Sequence, residues 1–203
     1  MAETASYHHG DLRRVLVETA ATLISEHGPQ HFSLAEVSRR AGVSVAAPYR
    51  HFANREALVA AVAAGIYARV TEAMAAGAAG AATPADALVG AAEAYVRYAA
   101  EHPQHYELLF RSGLDKHAHP EVLNAALQGL AVLRSHTQQI LRDDVEGAER
   151  LATALAITAQ GYATLLLDGL LGPQPGPAER SAVEAVAAAA RALLTGRRHF
   201  ASS

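Results

Sequence analysis

Apolar positions along the chain recur at steps of three and four, the spacing of a helix face. Leu12, Val15, Leu16, Thr19, Ala20, Leu23 and Ile24 make the first stripe and predict an amphipathic helix over residues 9–27. Gly28-Pro29 ends it, since glycine takes the left-handed cap position and proline cannot continue a helix. Ser33-Leu34-Ala35-Glu36 reads as a capping box, in which serine accepts from the third backbone N–H and glutamate reaches back. Ala41-Gly42-Val43 breaks the short helix so opened, and Ser44 is expected to cap another carrying Pro48, Tyr49, Arg50 and His51. Asn54 caps a long helix to about residue 76, striped by Leu58, Val59, Val62, Ile66, Val70 and Met74.

Beyond the small-residue loop at 77–83, Thr83-Pro84 starts a helix that runs to His102, an N-cap followed by proline at the first helical position. Pro103 turns the chain into a segment ending near Arg111, and His119-Pro120 starts the next helix. Its expected face is Leu123, Ala126, Leu127, Leu130, Leu133, Thr137, Ile140 and Leu141. Another helix covers about 146–169, residues 172–177 form a stiff Gly/Pro linker, and the last helix spans about 178–194. Nine helices and no convincing strand make the chain all-α.

Residues 151–167 carry no charge. They fall short of the ~20 residues of a membrane span, and Thr153, Thr158, Gln160 and Gly161 interrupt them. A helix apolar on all sides has to be covered on all sides, and a second subunit is the expected cover.

Composition agrees with helices: 51% of the 203 residues are hydrophobic, many of them alanine, and only 5% are aromatic. With no cysteine, disulfides, thiolate zinc sites and thiol catalysis are excluded. Met1-Ala2-Glu3-Thr4 lacks the basic-then-apolar pattern of a signal peptide, so a cytoplasmic location is expected. The formal net charge is −3, and in residues 1–60 six arginines balance six acids. Any binding to nucleic acid must therefore rest on where a few arginines point.

Two short helices joined by Ala41-Gly42-Val43, with Val37 and Val43 able to pack them together, form a helix-turn-helix pattern. Residues 33–58 carry more than that pattern. Tyr49, His51, Phe52, Arg55, Glu56 and Leu58 fit a Tyr-x-(His/Tyr)-Phe-x-x-(Lys/Arg)-Glu-x-Leu signature, and here the chain closely resembles the TetR family of bacterial transcriptional repressors. The resemblance implies a three-helix DNA-binding head over residues 8–55 and an effector-binding and dimerisation domain over 56–198. It also implies a homodimer through the last two helices, a palindromic double-stranded DNA operator and a small apolar or amphipathic effector.

Carried onto this chain, the resemblance gives Ser33, Arg40, Tyr49, His51 and Arg55 to phosphates, with N–H groups at Ser33 and Ser44 assisting. Val45, Ala46, Ala47 and Arg50 would face base edges. Ala46-Ala47-Pro48 departs from the commoner glycine and threonine, leaving methyl contacts to thymine as the natural chemistry, while Arg50 can reach either guanine or a phosphate. Phe52 would be the wedge joining the head to the long helix. His8, His9 and Arg13 fall where the family's N-terminal arm begins.

Residues 95–110 resemble a subgroup of the family with a WHG-type C-terminal domain, although this chain has no tryptophan and carries Gln160-Gly161 where His-Gly is usual. Tyr95, Tyr98, His105, Tyr106, Leu109, Phe110, Leu133, His136 and Gln160 mix rings, aliphatics and polar groups as a ligand cavity does. An effector there would move the long helix at 54–76 through its contact with the segment at 103–111. His117-x-His119 is weak evidence for a metal, and neither metal nor cofactor is expected. No nucleophile, base and orienter set stands out, so the chain is not read as an enzyme. Two rivals remain open: a helical enzyme or metal protein built on the histidines, and a DNA-binding protein without an effector.

Overall fold

The computed structural model describes residues 9–172 and 175–201, so the expectations placed on Met1–Thr4, His8 and the Pro173-Gln174 step lie outside the described residues. Eight α-helices are found among them, and no strand: α1 His9–His27, α2 Leu34–Arg40, α3 Arg55–Ala78, α4 Pro84–Glu101, α5 Pro103–Arg111, α6 Pro120–Ile140, α7 Val145–Leu167 and α8 Pro175–Thr195. Short 3-10 helices occupy Pro48–Arg50 and Arg197–His199.

The expected ninth α-helix, after Gly42, is the one that does not form. Pro48 has no N–H to donate to the Ser44 carbonyl, so that carbonyl takes the Ala47 N–H at 2.9 Å, one residue earlier than in an α-helix. Arg50 N–H then bonds to Ala47 O at 3.2 Å and His51 N–H to Pro48 O at 2.9 Å, so the segment advances in 3-10 steps. The last helix differs as well, starting at Pro175 and not at residue 178. Prolines in a first helical turn sacrifice only donors that have no partner there.

The residues divide into two compact units, Met1–Ile66 with Gln104–Leu123 and Tyr67–Pro103 with Asn124–Ser203. In the first, α1 packs on α2, and Leu16, Leu23, Ile24, Val37, Phe52, Leu58, Val62 and Leu108 are buried. In the second, α4, α7 and α8 pack on one another around Ala92, Val96, Ala159, Ala182 and Val186, with Tyr95, Tyr162 and Leu166 against them. Three of those five central residues are alanines, which bring helix axes close without needing large side chains to interdigitate.

Glycine takes this furthest where α3 meets α4. A Cβ on Gly77 would lie 2.5 Å from the Gly90 carbonyl oxygen and 2.7 Å from the Ala94 Cβ, and a Cβ on Gly90 would strike the Gly77 carbonyl. Close approach also turns α6: Gly129 lies against Thr71 and Met74, which places Val122, Leu133 and Thr137 inward and leaves Leu127, assigned to the inner face by spacing, exposed. By length and composition α3 could cross a membrane, yet half of its most apolar window is buried in the protein.

Replacing Gly90 with alanine should therefore destabilise the chain by about 1–3 kcal/mol despite alanine's higher helix propensity, because a backbone carbonyl has to move. Gly65→Ala, in α3 with open space around the added methyl, should stabilise by about 0.5–1 kcal/mol. Urea unfolding of both variants reads the contrast.

Candidate nucleic-acid interface

Local chemistry sets where the turn between α2 and the 3-10 helix begins. Ser33 is the N-cap of α2, extended at φ −128° and ψ 157°, and its Oγ accepts the Glu36 N–H at 3.1 Å. At the other end Gly42 is left-handed at φ +69°, Gly42 N–H bonds to Arg39 O at 3.3 Å, and Val43 N–H bonds to Ser38 O at 3.0 Å. That pair of bonds is a Schellman motif, which closes a helix and redirects the chain within two residues.

The redirected segment is anchored on one side and faces outward on the other. Pro48 and Phe52 are buried, while Ser44, Val45, Ala46, Tyr49 and Arg50 are exposed and Ala47 and His51 half-buried. Val45 and Tyr49 are 59% and 57% exposed, unusual for large apolar side chains in so small a unit. The Arg13 guanidinium lies 5.3 Å from the centre of the Phe52 ring and covers the anchor.

Arg55 serves the same segment from the other side. Its Nε donates to Phe32 O at 3.2 Å, a terminal nitrogen donates to Pro29 O, and its guanidinium stacks 4.4 Å from the Phe32 ring centre. The first residue of α3 thus holds the whole connection between α1 and α2. Arg40 is also engaged: both of its terminal nitrogens reach the Glu26 carboxylate on α1, one at 2.6 Å. The bidentate pair holds the Glu26 carboxyl below the usual range and raises the Arg40 guanidinium above its own. Arg39, 3.9 Å from Glu36, keeps a highly exposed side chain.

The nine residues expected around a ligand separate by unit. In the second, the Tyr95 hydroxyl donates to Gln160 Oε1 across α4 and α7, the Tyr98 ring meets that of His102 at a tilt of 55° with centres 4.5 Å apart, and Leu133 is buried. Burial raises the Tyr98 hydroxyl pKa, and that of Tyr67 is pushed up to about 12. His136 is half-buried on α6. In the first unit, His105, Tyr106 and Leu109 are buried and Phe110 carries Lys116 4.5 Å above its ring. Ser25 Oγ donates to Ala21 O at 3.0 Å and lies 3.3 Å from His105 Nε2.

A cleft of about 250 Å³ in the first unit is lined instead by residues such as Arg55, Glu56, Ser112 and Leu114. His119 sits between Glu56 at 3.2 Å and Glu121 at 3.7 Å. Among the described residues no group of three or more histidine, cysteine, aspartate or glutamate side chains is placed to hold a metal. The Glu26–Arg40 pair and the two carbonyls on Arg55 carry no signal in sequence spacing, since the partners lie 14 to 26 residues apart.

An all-helical chain with a Schellman turn, an exposed 44–50 segment and a buried wedge behind it is the construction of a helix-turn-helix DNA-binding regulator. Comparison with known proteins agrees. Residues 16–62 match the bacterial regulatory proteins of the tetR family, and residues 88–190 match the tetracyclin repressor-like C-terminal domain. The chain belongs to the TetR family of DNA-binding transcriptional regulators.

A protein of unknown function from Rhodococcus sp. RHA1 is similar at 28% identity and a TM-score of 0.74, covering 98% of this chain and 100% of its own. The TetR family transcriptional regulator PfmR from Thermus thermophilus shares the fold at 20% identity and a TM-score of 0.59, with 84% of this chain and 94% of its own covered. RolR, solved in complex with resorcinol, shares it at 21% identity and a TM-score of 0.63, with 91% and 93% covered. No curated protein matches the chain.

Because Glu26 is held ionised by Arg40, the pair's contribution to stability is full above the ordinary glutamate pKa and disappears as pH falls through the lowered one. Glu26→Gln should flatten that acid limb in unfolding curves below about pH 4.5. It should also free Arg40, tightening DNA binding and steepening its salt dependence by about one phosphate contact.

Proposed function

We propose that the chain is a ligand-responsive repressor that binds a palindromic operator as a homodimer in the cytoplasm and is released by a small apolar or amphipathic effector. The observation that carries the DNA half is the exposed row Ser44, Val45, Ala46, Tyr49 and Arg50 on an anchored turn. Tyr49, Ser33 and His51 contact phosphates, joined by Arg40 once Glu26 yields it. Ala47 lines the base-facing side with Val45 and Ala46. Arg55 acts by positioning, its guanidinium being bound to the Pro29 and Phe32 carbonyls.

The dimer reading rests on α7. Ile157 is 67% exposed and Leu165 40% on one side of the uncharged stretch 151–167 of that helix, with Gly161 between them, and α8 exposes Ala188 and Ala192. Apolar surface of this kind is what an isologous two-fold interface buries. Two heads so paired would enter successive major grooves about 34–36 Å apart.

For the effector, Tyr95 and Gln160 supply directional hydrogen bonds among apolar neighbours, the mixture that orients a small aromatic or amphipathic molecule. The resorcinol bound by RolR is of that chemistry. An effector held there would act on the DNA-binding segment through α3, which is a single helix over Arg55–Ala78. An effector acts only through its differential affinity for the DNA-bound and released states. The functional boundary follows the head at 8–55 and the remainder at 56–198.

Genomic fragments selected by the purified protein at physiological salt should converge on one palindrome. Ile157→Glu should leave the fold intact, shift the sedimenting species from dimer to monomer, and weaken binding to the full palindrome far more than to a half-site. Fragments without a common motif, or a dimer unaffected by the substitution, would contradict the proposal.

A further inference from the structure

Resting on the DNA-binding reading above, we propose that this chain selects its operator chiefly through thymine C5-methyl groups, buried against Val45 and Ala46. Residues 45–48 are Val, Ala, Ala and Pro, four consecutive side chains without a single hydrogen-bond donor or acceptor. Val45 and Ala46 form the exposed outward tip of the segment, with Ala47 half-buried and Pro48 buried behind them. The N–H groups of Val43, Ala47, Arg50, His51 and Phe52 are all bonded within the turn, and Pro48 has none.

A hydrogen-bond code cannot be read by such a surface. In the major groove the thymine methyl is the apolar feature, present at different positions in A·T and T·A and absent from G·C and C·G. An aliphatic tip that displaces water from that methyl gains by its burial, whereas over cytosine or a purine it covers polar edges and gains nothing. Rigidity makes the difference selective: Pro48 and Phe52 are buried beneath the tip, and the Schellman bonds of Gly42 and Val43 fix where it starts. The polar flanks, Ser44 on one side and Tyr49 and Arg50 on the other, place the tip without reading its bases.

The test uses the full chain and the palindrome it selects, resynthesised with each thymine replaced in turn by deoxyuridine, which keeps every hydrogen-bonding group and lacks only the methyl. Affinity should fall about fourfold at one or two positions in each half-site. Val45→Ala should erase the difference between thymine and deoxyuridine at one of them and leave the salt dependence unchanged. Val45 is exposed, so the variant should melt at the wild-type temperature, which the same preparation checks. Equal affinity for thymine and deoxyuridine at every position overturns the inference while leaving specific DNA binding intact. So does a base preference that survives Val45→Ala but vanishes with Arg50→Ala. Failure to select any site overturns the DNA-binding reading itself, and the inference with it.

Discussion

The guanidinium of Arg55 draws three separate parts of the chain onto one group. It donates to the carbonyl of Pro29, just past the end of α1, and to that of Phe32, just before the Ser33 cap of α2, while lying 4.4 Å from the centre of the Phe32 ring. Hydrogen bonds to a charged donor are worth about 1.5–3 kcal/mol each, against about 1 for a neutral pair. A planar fork also fixes direction, which a lysine could not do. Since Arg55 is the first residue of α3, the start of that long helix and the angle between α1 and α2 are set by the same contact. The pitch at which residues 44–50 leave the surface depends on it.

Pro48 decides the form of what is presented. By removing one donor it converts an expected α-helix into a turn and a 3-10 step, and its own burial beside Phe52 pins that step to the core. Arg40 is neutralised by Glu26, Arg55 is turned inward, and Arg39 and Arg50 are left as exposed cations beside an aliphatic tip.

What can be read from the residues alone depends on the range of the interactions. Caps are local, so Ser33, Asn54, Thr83 and the Gly28 and Gly42 stops are legible from a few neighbouring residues, and both ends of each of the eight α-helices fall within three positions of their expected places. Pro48 is tolerable in a first helical turn, but the chain has only one turn before it, too little to nucleate an α-helix. Periodicity misplaces the inner face of α6 at Leu127 because it favours the largest residues, whereas the close approach at Gly129 favours the smallest. Glu26 with Arg40, and Arg55 with two backbone carbonyls, join residues far apart in sequence. No pattern of residue types announces a guanidinium bonded to two backbone carbonyls.

The central claim is that residues 44–50 are the surface that meets DNA, held in place by Arg55 and Phe52. Amide hydrogen exchange of the full chain, with and without the duplex it selects, measures this directly. Slowing concentrated in residues 42–52, and lost together with binding when Arg55 is replaced by alanine in a variant that remains folded, is the predicted result. Slowing confined to other helices, with residues 42–52 exchanging as fast on DNA as off it, would contradict the claim.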